Sequence, residues 1–192
     1  MAEAARVGEI VRLQIQREPL KTSGTYLPGP LLAAPRALVN ADGMIVEAGD
    51  GWLLDAHHRS HPRTRGGGRR AISIGFTGHY EAMRDRFGDV PDGIAGENIL
   101  IGGPPLRLED VGAGIEILSA DGQRLDLRDP SVAAPCVEFT SYLLGADGVL
   151  PRDEILDDLD FLNHGTRGYI LDAGHLEGYQ SLALGETVVG LG

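Results

Sequence analysis

The run Asn98-Ile99-Leu100-Ile101-Gly102-Gly103-Pro104-Pro105-Leu106-Arg107-Leu108, continued by Gly114-Ile115-Glu116-Ile117-Leu118 and Gln123-Arg124-Leu125-Asp126-Leu127, decides the fold class. It predicts four short strands, at 98–101, 106–108, 114–118 and 123–127. Gly-Gly-Pro-Pro, Gly112-Ala113-Gly114 and Asp121-Gly122 cut them apart as turns. Working outward, Val7–Gln16 predicts a strand in which Val11 beside Ile10 breaks the alternation, as a bulge or two-sided burial would, and Pro19 ends it. Asp42-Gly43 predicts a hairpin between Leu38-Val39 and Met44-Ile45-Val46, and Asp50-Gly51 a turn before Trp52-Leu53-Leu54. Arg70–Phe76, with Ala71-Ile72-Ser73-Ile74, reads as a buried strand, and Tyr169–Leu171 and Glu186–Val189 as closing strands.

Helices are predicted at three places. Thr77 N-caps one that carries Tyr80, Met83 and Phe87 and stops at Gly88. The others span Val137–Leu144, stopped by Gly145, and Glu154–Leu162. Eight or more short strands, two or three helices and many Gly/Pro turns suit a mainly β fold, a bent barrel of short, mostly antiparallel strands. At 192 residues the chain predicts a single domain over 1–192.

Composition narrows the partners. The net charge of −11 argues against nucleic acid, which needs clustered positive charge. No apolar run is long enough for a membrane span, and Met1–Arg6 lacks the apolar core of a signal peptide. With one cysteine, these features predict a cytoplasmic protein that does not associate with membranes. Of the 17 basic residues 16 are Arg, a bias that a high-GC genome also produces. Their placement says more. From His57 to Arg70 there are Arg59, Arg63, Arg65, Arg69, Arg70, His57, His58 and His61, with Gly66-Gly67-Gly68 and no acid. That cationic island suits a phosphate; its plainer reading is a surface loop. A histidine metal site there is weaker, because adjacent His57 and His58 on a strand face opposite ways.

Four further features carry candidate chemistry. Asp92-Gly93-Ile94-Ala95-Gly96-Glu97-Asn98-Ile99 puts two glycines, an acid and an amide ahead of a strand; it fits a tight turn and a ligand-facing loop equally well. Lys21 is the sole lysine and so the sole candidate for a pyridoxal phosphate aldimine, which a chain this small disfavours. Arg167, flanked by Gly165 and Gly168, reads first as a partner of the acidic run before it and second as a phosphate ligand. Cys136, the single cysteine, follows Pro135, so the backbone into it is stiff and cannot be mid-helix. On its own it reads as packing; the alternatives are thiol chemistry and metal ligation.

With Cys136, Gly93-Ile94-Ala95-Gly96-Glu97-Asn98-Ile99 and Arg167-Gly168-Tyr169 in order, the chain resembles the MOSC domain found at the C-terminus of molybdenum cofactor sulfurase and as stand-alone bacterial proteins. Pro19-Leu20-Lys21, His57-His58, His61-Pro62, Gly66-Gly67 and Ile72–Tyr80 fall in matching order too, and the likeness runs from about Arg6 to Val189. It implies a single MOSC-type β-barrel with its core over about 6–189. It also implies sulfur carriage or binding of the molybdenum cofactor (molybdopterin). Cys136 would then be the catalytic thiolate, as a persulfide carrier, or the metal ligand to molybdenum. Lys21, His61, Arg63, Arg65, Glu97, Asn98 and Arg167 would hold the anionic cofactor. Implied partners are a cysteine desulfurase or an electron-transfer protein, and implied activities are sulfurtransferase-like or a molybdenum-dependent reduction of N-hydroxylated compounds. Pyridoxal phosphate attaches to the family only by association, since no desulfurase domain is present here, and the basic pterin-binding segment of larger relatives is reduced to Lys21-Thr22-Ser23-Gly24. The contrasting expectation is a non-catalytic barrel that binds a small anion or a partner, with Cys136 buried.

Overall fold

Inward-facing Ile and Leu at every second position build the barrel: Ile72, Ile74 and Phe76; Ile99 and Ile101; Ile115 and Ile117; Leu125 and Leu127 are all at most 3% exposed. The computed structural model describes residues 5–22, 24–49, 51–64 and 72–191. Its strands are β1 (Arg6–Gln16), β2 (Lys21–Thr22), β3 (Thr25–Tyr26), β4 (Leu31–Ala34), β5 (Arg36–Asn40), β6 (Gly43–Ala48), β7 (Gly51–Leu54), β8 (Ile72–Phe76), β9 (Ile99–Gly102), β10 (Gly114–Leu118), β11 (Arg124–Val132), β12 (Tyr169–Asp172), β13 (Gln180–Ala183) and β14 (Thr187–Gly190). The helices are α1 (Thr77–Phe87), α2 (Leu108–Val111), α3 (Val137–Leu143) and α4 (Leu156–Phe161).

The main sheet runs β14-β10-β11-β12-β8-β9-β1-β4, and pairing of β1 with β14 closes seven of these strands into a barrel. Every pair in it is antiparallel except β8–β9. Closure removes the exposed edges that an open sheet would leave. The mainly β barrel of mostly antiparallel strands is thus the observed fold. Each fully buried Ile or Leu contributes roughly 1.5–3 kcal/mol of transfer free energy. A second sheet, β13-β5-β6-β7, and the β2–β3 hairpin flank the barrel.

The long β1 serves three neighbours, pairing with β14 through Arg6–Glu9, with β4 through Leu13–Gln16 and with β9 on its other side. The register shifts between Ile10 and Arg12, which makes Val11 the bulge residue that the broken alternation suggested. In β11 the register shifts again between Arg128 and Ser131, and Asp129 takes φ 51°. The bend leads the chain into Ala133–Cys136, where the Ala133 N–H donates to the Gly168 carbonyl (3.0 Å).

Three local expectations are corrected. Leu106–Leu108 is not a strand: after two prolines the chain turns into α2, whose start is held by the Arg107 N–H donating to Asp110 Oδ2 (3.0 Å). Thr77 does not cap α1; it is the first helical residue, and its hydroxyl instead exchanges hydrogen bonds with the backbone of Gly103. The helix expected over Glu154–Leu162 begins as a 3-10 turn at Arg152–Ile155 and passes through α4 into a wider turn at Leu162–Thr166. The helix over 137–144 and the hairpin at Asp42-Gly43 are found as expected.

Outside the barrel wall, Leu20, Tyr26, Tyr80, Met83, Leu100, Phe139 and Leu162 form a second core under α1 and α3. This cluster fixes the loop ahead of β9 against the barrel. Among the described residues, no helix is long and apolar enough to cross a membrane.

Candidate functional site

The loop Gly93–Glu97 is held by four side chains from three elements. From β1, Gln14 Nε2 donates to the carbonyls of Gly93 (2.7 Å) and Glu97 (2.8 Å), and Gln16 Nε2 to that of Gly96 (2.7 Å). The Tyr26 hydroxyl donates to the Ile94 carbonyl (2.6 Å), and the Ala95 N–H donates to the Tyr80 hydroxyl (3.1 Å). Gly96 has φ 86°, a backbone conformation that favours glycine, and a Cβ there would crowd the ends of Leu20 (2.7 Å to Cδ1) and Gln16 (2.8 Å to Nε2).

This scaffold buries Glu97, which is 4% exposed. Tyr80 donates to its Oε2 (2.9 Å), while its Oε1 has no hydrogen-bond partner among the described residues. Burial pushes the carboxyl up to about 7, against the opposing pull of hydrogen bonds from Tyr80 and from its own backbone N–H and of the Arg12 and Arg167 charges. Burial also raises the Tyr80 and Tyr26 phenols, which stay protonated donors.

Glu97 opens onto a cleft of about 390 Å³ whose wall also holds Lys21, Tyr26, His57, Arg63 and Arg167, over an apolar surface that includes Leu20, Ile74 and Ala95. Arg167 is set by the Ala134 carbonyl, which accepts from its Nη1, and by the face of Phe139, 5.3 Å from ring centroid to guanidinium carbon. Its Nε is buried without a partner, and it forms no ion pair among the described residues. Two acids of the run before it lie against other groups: Asp158 pairs with Arg86 (2.7 Å) and Asp160 Oδ2 is 3.4 Å from His164 Nε2. Arg63 pairs with Glu18 at the rim.

The fold therefore brings together Lys21, Arg63, Glu97 and Arg167 of the residues singled out by sequence. Two others stand outside the cleft lining. Asn98 is buried in the wall, where its Oδ1 accepts from the Ser73 N–H and hydroxyl (both 3.0 Å) and its Nδ2 donates to Asp55 (3.1 Å) and to the Gln14 carbonyl (3.3 Å). His61 stands near the rim with Nε2 3.2 Å from the Arg17 carbonyl. Arg65 and the triglycine lie outside the described residues, as do Arg69 and Arg70. Among the described residues, no three His, Cys, Asp or Glu side chains converge as a metal site.

Cys136 is half-buried at the start of α3, with the extended backbone (φ −125°, ψ 155°) that Pro135 foreshadows. It packs on the second core and does not itself line the cleft, although Ala133 and Ala134 just before it do. Its thiol hydrogen-bonds Glu138. Burial pushes the Glu138 carboxyl up, but its own backbone N–H, the thiol, and the charges of Lys21 and Arg167 outweigh this and hold it below the usual carboxylate range. The thiol thus lies two residues along the chain from Ala134 on the cleft wall, and its partner Glu138 is in the field of two cleft cations.

Sequence reasoning missed Tyr26, Tyr80, Asp55 and the role of His57. Asp55 is fully buried and accepts from the Gln16 N–H (2.8 Å), the His57 N–H (2.8 Å) and His57 Nδ1 (2.9 Å), which orients the His57 ring on the cleft wall. The one available signal was an acid placed immediately before the cationic island.

No protein-family model matches the chain, and no curated protein matches it. Among solved structures, the chain is similar to the crystal structure of the YuaD protein from Bacillus subtilis, with 16% identity, 97% of each chain covered and a TM-score of 0.52. That likeness establishes the fold.

Proposed function

We propose that the cleft binds a small anionic molecule and that Cys136 beside it supplies a thiolate, either to carry sulfur as a persulfide or to ligate the molybdenum of a pterin cofactor. The observation that carries this reading is Arg167: a guanidinium held on the cleft wall by a carbonyl and an aromatic face, in no ion pair among the described residues. Guanidinium groups placed in this way suit phosphate and carboxylate groups. Lys21 adds a second cation from the exposed β2–β3 hairpin, and the resemblance of the Gly-Glu-Asn and Pro-Cys motifs to the MOSC family points the same way.

For sulfur carriage, the Cys136 thiolate attacks the outer sulfur of a donor persulfide. A new S–S bond forms at Cys136 while the donor's S–S bond breaks, and the donor leaves as a thiolate. A cysteine desulfurase fits as that donor. For the cofactor, Lys21, Arg63 and Arg167 would hold the phosphate and Cys136 would provide one soft ligand, suited to a molybdenum–sulfur centre; the bound group would supply the redox chemistry. The expected result is that freshly purified protein retains sulfane sulfur or molybdenum and that Cys136→Ser abolishes it with the fold intact by circular dichroism. Retention that is equal in the variant would sink the role of Cys136.

The packing of Cys136 on the second core favours one alternative, an anion-binding barrel in which the thiol is only a packing group. Under that alternative the native thiol is inert to alkylating reagents and neither label is found.

A further inference from the structure

Two buried polar atoms on groups of opposite charge remain without hydrogen-bond partners among the described residues in this one cleft: Glu97 Oε1 and Arg167 Nε. The two residues feel each other's charge, yet they form no ion pair. Native proteins seldom leave such groups unsatisfied, and each needs an explanation. Neither residue can easily reach the other. Glu97 is pinned by Tyr80 on Oε2 and backed by β8, where a Cβ added to Gly75 would stand 3.2 Å from Oε1. Arg167 is pinned by Ala134 and Phe139. The space between them is the cleft.

We infer that the ligand bridges this gap as a zwitterion, with its anionic group on Arg167 and Lys21 and an ammonium group on Glu97 Oε1. The inference rests on the reading of the cleft as an anion site and adds a second, cation-selective subsite to it. A plain anion would satisfy Arg167 and leave the buried Glu97 Oε1 without a hydrogen-bond donor, which is costly in a low-dielectric wall. An ammonium supplies both the missing hydrogen bond and the compensating charge. Ammonium phosphates, sulfonates and carboxylates are the chemical class that meets both requirements. Glu97 also carries a proton at acid pH because burial raises its carboxyl to about 7, so binding an ammonium below that pH expels the proton to solvent.

The test compares O-phosphoethanolamine with n-propyl phosphate, which has nearly the same shape but no ammonium, by calorimetric titration at pH 8. The intact protein is expected to bind phosphoethanolamine about tenfold more tightly, the weight of one charge-assisted hydrogen bond. Glu97→Gln is expected to erase that preference. Equal binding of the two probes by the intact protein, or a preference that survives Glu97→Gln, overturns the zwitterion assignment while leaving the anion site standing. Binding of neither probe overturns both. The comparison on the intact protein decides the matter even if the variant fails to fold.

Discussion

At pH 8, Glu97→Gln is expected to stabilise the ligand-free protein by about 3 kcal/mol, taking each unit of carboxyl shift as about 1.36 kcal/mol. The size follows from the carboxyl being raised from 4.5 to about 7 by burial. A raised acid binds its proton more tightly in the folded state. Its favourable contribution is therefore complete below the unfolded value and is lost as pH climbs from about 4.5 to about 7, with a constant deficit above. An amide of the same shape does not titrate. Glu186 is also raised by burial and weakens the fold over the same direction of pH, while His58 and His79, lowered by burial, weaken it as pH falls. These are common to both proteins, so the difference between parent and variant isolates Glu97. Chemical denaturation at pH 5 and pH 8 checks it: a gap that opens with pH supports the buried, uncompensated carboxyl, and a variant less stable at pH 8 refutes it.

The second large effect is expected at Gly168, which links Arg167 to β12. Its φ of 105° disfavours any side chain, and an added Cβ would stand 2.3 Å from the Ile74 carbonyl oxygen, which is backbone and cannot swing aside. Gly168→Ala therefore has to move β12 away from β8 or twist the turn that carries Arg167. A loss of about 3 kcal/mol or more is expected, from backbone strain and steric overlap together. Thermal denaturation reads the loss directly. An unchanged midpoint would show that the turn is softer than its packing implies.

The parts of the fold that were legible in the sequence share a local cause. β1 with its bulge at Val11, the β5–β6 hairpin at Asp42-Gly43 and helix α3 between Pro135 and Gly145 each announce themselves by periodicity or turn chemistry within a dozen residues. What could not be read is non-local. Closure of the barrel joins Arg6–Glu9 to Thr187–Val189, and no local pattern marks that pairing. Strand β4, wedged between Pro28-Gly29-Pro30 and Pro35, hides among turn residues. The apolar pair Leu106 and Leu108 looked like a strand because alternation over three residues says little about which face is buried.

The candidate site divides along the same line. Gly93, Gly96 and Glu97 stand out because two glycines just ahead of an acid are a local peculiarity. The groups that give Glu97 its character come from far along the chain: Tyr80, 17 residues before it, and Gln14, 83 residues before it. Asn98 was singled out with Glu97 as a neighbour in sequence, but successive residues at the mouth of a strand face opposite ways. One therefore looks into the cleft, and the other ties β8, β1 and Asp55 together inside the wall. Proximity in sequence points Arg167 first to the acidic helix; in the fold it forms no ion pair with that helix among the described residues, and Asp158 there pairs with Arg86 instead.

The central claim is that Arg167 makes this cleft an anion site. Calorimetric titration of the intact protein and of Arg167→Ala with inorganic pyrophosphate tests it most directly, with circular dichroism confirming that both are folded. Saturable binding to the intact protein, weakened about tenfold or more in the variant, is the predicted result, since the guanidinium supplies a charge-assisted contact that alanine lacks. Affinity that is the same in both proteins, or no binding to the intact protein, would contradict it.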